Sequence, residues 1–205
     1  MTNQEFITTI EEYRSRAHQL LAGDGGFNIK RGMAHTISGY VEDLFALFIA
    51  QKINRNDLLF LVDKVTSIYF ENSTRAISFK PDLAILESNV LTHYFDVKTN
   101  MGRNRDFKAY LNEKNQFIAS LQGKAAWIQH SKIDHQPIEI SNTLMYQMVI
   151  IYGWNINQNF LRENLKAAES YPNVKVHVLY TQQEDGSGFG INEAAFHAID
   201  KTLHQ

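Results

Sequence analysis

The chain is expected to fold as an α/β protein in which helices flank a central mixed β-sheet, and three observations lead there. Amphipathic helical stretches alternate with short runs rich in β-branched and aromatic residues. One of those runs, LMYQMVIIY at 144–152, is apolar almost throughout, as in a strand buried on both faces. The 205 residues, 44% of them hydrophobic, suffice for one sizeable core and contain no repeat or low-complexity tract.

Each element has its own signal. Phe6, Ile10, Tyr13, Ala17, Leu20 and Leu21 recur at helical spacing and stop at the glycine-rich turn GDGG, Gly23 to Gly26. A second helix is expected from about Met33 to Lys52, where Ile37, Val41, Leu44, Phe45 and Phe48 make one stripe. Leu58 to Phe70 reads as a helix end running into a strand at Val65 to Phe70. Ser78 to Leu86 and Leu91 to Thr99 are β-rich and separated by Glu87-Ser88-Asn89, which predicts a hairpin. A long helix follows over about Arg105 to His130, with Phe107, Leu111, Phe117, Leu121 and Trp127 among its apolar positions. The strand 144–152, a helix at about Asn159 to Ser170, a strand at Val174 to Tyr180 and a helix at about Asn192 to Leu203 complete the order. One domain is expected, with residues 1–32 a helical extension, 33–152 the core and 153–205 a C-terminal α/β extension.

Composition removes several classes of function. No cysteine is present, which excludes disulfides and thiolate zinc sites and leaves oxygen or imidazole to hold any metal. No run approaches the roughly 20 apolar residues of a membrane span, and the N-terminus lacks an apolar signal core, so a cytoplasmic protein with no membrane partner is expected. The glycines of EDGSGFG do not have nucleotide-loop spacing. His130 and His135 have no third ligand at zinc spacing. Gln147, inside the apolar run, needs a hydrogen-bond partner and is expected to be structural.

The net charge of −2 is unevenly spread. Between Lys98 and Lys132 there are seven basic residues against two acids, so that segment is +5 and the remainder −7. Such asymmetry suits either a polyanion-facing surface or a solvated helix face.

The chemistry concentrates in the hairpin PDLAILESNVLTHYFDVK, residues 81–98. Asp82 stands at the start of one strand, and Asp96 and Lys98, two apart on the next, share a face. An ionised Asp96 behind Tyr94-Phe95 must find a partner. Two readings satisfy it: a cross-strand ion pair, or a divalent cation held by two carboxylates that offer the hard oxygen ligands Mg²⁺ prefers.

Pro81-Asp82 followed by Asp96-Val97-Lys98 resembles the PD-(D/E)XK signature of the restriction-endonuclease-like nucleases, with aspartate as its second acid. The resemblance covers about residues 33–152. It implies a three-layer core ordered α-β-β-β-α-β and Mg²⁺-dependent DNA cleavage, with Mn²⁺ able to substitute. It makes Asp82 and Asp96 metal ligands and Lys98 the catalytic lysine. Glu42, at the edge of the second helix's apolar stripe, is the matching helix carboxylate and a third ligand, with Asp43 as second choice. Arg103, Arg105 and Lys108 after the strand, and Lys30 and Arg31 after the glycine turn, are the expected contacts to double-stranded DNA. A homodimeric restriction-type endonuclease is the first expectation, since a two-strand cut suits two-fold symmetry. A repair or defence nuclease of the same superfamily, or a catalytically silent binding member, is the alternative.

Overall fold

The computed structural model describes residues 1–22, 37–71, 73–100, 106–131, 133–153, 157–183 and 188–204. Among them are helices α1 (Asn3–Ala22), α2 (Ser38–Ile53), α3 (Phe107–Leu121), α4 (Gln158–Ala168) and α5 (Glu193–Leu203). The strands are β1 (Leu58–Val62), β2 (Thr66–Ile68), β3 (Ile77–Phe79), β4 (Leu83–Glu87), β5 (Val90–Asn100), β6 (Ala125–Gln129), β7 (His135–Ile140), β8 (Tyr146–Tyr152), β9 (Val174–Gln182) and β10 (Phe189–Ile191).

All ten strands belong to one mixed sheet organised around β5. One edge of β5 pairs antiparallel with β4, and β4 pairs antiparallel with β1. The opposite edge is shared, because Val90 and Leu91 run parallel to β7 while Tyr94 to Asn100 run parallel to β8. From β8 the sheet continues to β9, parallel, and to β10, antiparallel. From β7 it continues through β6 and β2 to β3 as an antiparallel wing. Ser88 and Asn89, which join β4 to β5, both have positive φ, as a two-residue type I′ turn requires.

Alternation along the strands divides the core into two layers. Leu83, Ile85, Phe95, Val97, Val149 and Ile151 pack against α1, α2 and α5. Ala84, Leu86, Tyr94, Met148 and Ile150 pack against α3 and α4. Phe95 meets Phe45 of α2 edge-on at 5.4 Å, and Phe6 of α1 stacks on Phe48 at 4.6 Å. Burying a ring of this size stabilises the fold by about 2–3 kcal/mol. β8 is buried along its whole length, which accounts for its apolar sequence.

Several expectations are corrected. The helix expected over 105–130 ends at Leu121, because Gly123 takes φ 72° and donates its N–H to Ile140. Residues 125–129 with Trp127 then form β6, and 135–140 form β7. Leu58–Val62 is a strand and not a helix end, and the expected strand at 65–70 shortens to β2. The run expected from Ser78 to Leu86 is cut into β3 and β4 at Lys80-Pro81-Asp82, where proline removes a ladder donor. In the glycine-rich stretch before α5, Phe189–Ile191 pairs with β9 as β10. No helix among the described residues is long and apolar enough to cross a membrane.

Candidate active site

The site forms where β1 ends, β4 begins and β5 approaches its C-terminal end. Register brings its residues together: Val62 pairs with Leu83, so the residues flanking that pair, Asp63 and Asp82, are neighbours across the two strands. The Asp63 N–H donates to the Asp82 carbonyl at 3.2 Å. Glu42 approaches from α2. One carboxylate oxygen from each of Glu42, Asp63 and Asp82 lies within 4.8 Å of the others, and this is the one such group of potential metal-ligating side chains among the described residues.

Asp82 connects this cluster to β5. Its Oδ2 accepts the Val97 N–H at 2.6 Å and lies 3.7 Å from the Lys98 ammonium. Lys98 donates to Oδ1 of Asp96. Oδ2 of Asp96 accepts from Tyr146 of β8 and, at 3.1 Å, from Tyr110 of α3. Asp96 is 8% exposed and engaged through both oxygens, whereas Asp63 is exposed and pairs with Lys80.

The electrostatics follow from this crowding. Burial, and then the neighbouring Asp96, push the Asp82 carboxyl up to about 7. Burial also opposes ionisation of Asp96, but donation from Asp82 and the charge of Lys98 outweigh it and hold Asp96 below the usual carboxylate range. Burial disfavours the Lys98 ammonium, yet Asp96 and Asp82 reverse the balance and raise its pKa. Glu42 is raised by partial burial and by the charge of Asp63. Four carboxylates facing two ammonium groups leave an excess of negative charge that a divalent cation would relieve, and the all-oxygen donor set suits a hard cation.

The hairpin residues Asp82, Asp96 and Lys98 therefore meet as the sequence leads one to expect, and Glu42, not the exposed Asp43, is the helix carboxylate that reaches them. Asp63 was not anticipated, and it stands in the cluster where Asp96 was expected. Lys108 is exposed in the first turn of α3. Lys30, Arg31, Arg103 and Arg105 lie outside the described residues. Gln147 points to the opposite face, where its Oε1 accepts from Thr202 at 2.9 Å and contacts His177 Nε2 at 3.3 Å, a structural role. His130 contacts Gln136 at 3.0 Å.

An α/β protein with an acidic cluster and a paired lysine beside the central strands of a mixed sheet is the class that fold and site define. No protein-family model, curated protein or solved structure matches the chain.

Proposed function

We propose that this chain is a Mg²⁺-dependent deoxyribonuclease of the restriction-endonuclease-like kind that hydrolyses phosphodiester bonds in double-stranded DNA. One observation carries the reading: Asp82 stands within 3.7 Å of the Lys98 ammonium and shares a three-carboxylate cluster with Glu42 and Asp63. The order α2-β1-β4-β5-α3-β8, in which β1, β4, β5 and β8 are successive sheet neighbours, supports it.

Asp82, Glu42 and Asp63 would hold the cation, which when bound supplies Lewis-acid stabilisation to a phosphate oxygen. Lys98, kept charged by Asp96, donates hydrogen bonds toward the attacking water and the phosphate, stabilising the charge that builds there. Lys108 at the start of α3 contributes a cation toward the DNA backbone. A homodimer places two such sites on the two strands.

Incubating the protein with plasmid DNA, with and without Mg²⁺, beside an Asp82→Asn variant tests the reading. Discrete fragments that require both Mg²⁺ and Asp82 support a restriction-type enzyme, and a smear supports a repair or defence nuclease. Intact DNA in Mg²⁺ and in Mn²⁺ removes the nuclease and leaves a silent binding member.

A further inference from the structure

We infer that Tyr110 and Tyr146 are positioning residues that hold Asp96 in place to anchor the Lys98 ammonium. This deepens the proposed function and rests on its assignment of Asp82, Glu42 and Asp63 to the cation.

Asp96 is held through both of its carboxylate oxygens. A carboxylate offers about two acceptor sites on each oxygen. Oδ2 receives both tyrosine hydroxyls, and Oδ1 receives Lys98. Oδ2 is thus taken up by the two hydroxyls, which leaves Oδ1 to hold the ammonium. Asp96 is also absent from the cluster formed by Glu42, Asp63 and Asp82. Asp63, one residue past β1, fills the third place instead.

The two hydroxyls are not equivalent. They lie 2.9 Å apart, and together with Asp96 they form three contacts that must be served by two hydrogens. Tyr146, fully buried and edge-on to Tyr94 at 5.4 Å, donates to Asp96. Tyr110 divides its hydrogen between Asp96 and the Tyr146 oxygen. Tyr146 is therefore the main support and Tyr110 the lesser one. Lys114 caps both rings, its Nζ 5.3 and 5.2 Å from their centroids, and joins α3 to the clamp through cation–π contact. The position of α3 against β8 is thus transmitted through Asp96 to the Lys98 ammonium.

Two substitutions in the full chain, Tyr146→Phe and Tyr110→Phe, test this beside Asp82→Asn. Mn²⁺ affinity by calorimetry is expected to stay within about twofold of the parent in the two tyrosine variants and to fall by roughly tenfold or more in Asp82→Asn. DNA cleavage should lose kcat, by roughly tenfold or more in Tyr146→Phe and less in Tyr110→Phe, with KM for DNA unchanged. A loss of Mn²⁺ affinity in Tyr146→Phe equal to that in Asp82→Asn overturns the inference, because the tyrosine would then act through the cation and not through Lys98.

Crystal structures of the two tyrosine variants give a readout that needs neither metal nor activity. Displacement of Lys98 Nζ from Asp82 supports the clamp, and an unmoved Lys98 in both variants overturns it. A parent that neither binds Mn²⁺ nor cuts DNA would sink the nuclease reading, and the crystallographic comparison would still decide the clamp.

Discussion

Replacing His177 with leucine is expected to change how stability depends on pH, and the structure sets the size of the change. His177 lies in β9, 3% exposed, with its Nε2 against Gln147, whose Oε1 also accepts from Thr202. Burial, reinforced by the charge of Lys175, pushes its pKa down to about 4. In the unfolded chain the same ring titrates near 6.5. As pH falls below 6.5 the unfolded state takes up a proton that the folded state refuses until about pH 4, so stability is lost on acidification. At about 1.4 kcal/mol per unit, that loss approaches 3 kcal/mol across the window.

Asp82 works in the opposite sense. Its folded pKa of about 7 exceeds the unfolded carboxylate value, so its contribution is present at low pH and is lost as pH rises toward 7. The two slopes oppose each other and flatten the parent's profile. His177→Leu removes one of them. Urea unfolding in EDTA at pH 4.5 and 7.5, followed by circular dichroism, should show the difference between parent and variant moving by about 2–3 kcal/mol in the variant's favour at the lower pH. A difference that stays constant within about 0.5 kcal/mol would refute the reasoning, because His177 would then titrate alike in both states.

Two further outcomes are expected. Lys98→Ala should reduce DNA cleavage by roughly a hundredfold or more while Mg²⁺-dependent DNA binding, read by fluorescence anisotropy, persists; full activity would remove the lysine from the chemistry. Gly123→Ala should destabilise the fold by about 1–2 kcal/mol in urea titrations, chiefly because φ 72° is a left-handed conformation that alanine resists. The Asn142 amide oxygen, which the added Cβ would press against, belongs to an exposed side chain and can turn aside.

The hairpin of β4 and β5 was legible because alternation, a Ser-Asn turn and three functional residues all lie within one local stretch. β8 was legible because burial on both faces leaves an unbroken apolar run. β6 was not, since Phe117, Leu121 and Trp127 prolong a helical period past the true end, and Gly123 was the signal against it. β1 is a five-residue apolar run, too short for periodicity to separate strand from helix.

The site divides in the same way. Asp82, Asp96 and Lys98 follow from local spacing, and Glu42 from its place beside a stripe. Asp63 is a single acid in a turn, and only the pairing of β1 with β4 reveals what it faces. Tyr110 and Tyr146 read as core aromatics until α3 and β8 are placed on either side of Asp96.

The shared edge of β5 has a consequence for how the protein comes into being. Its partner β8 lies beyond α3 and the strands β6 and β7 in the chain, so this parallel pairing closes a long loop and is intrinsically slow. Helices and the local hairpin can form early, but the carboxylates of α2 and β1 meet a braced Lys98 only after β8 docks. A half-folded chain would carry every residue of the site and still lack the site, which couples its chemistry to the last and most long-range step of folding.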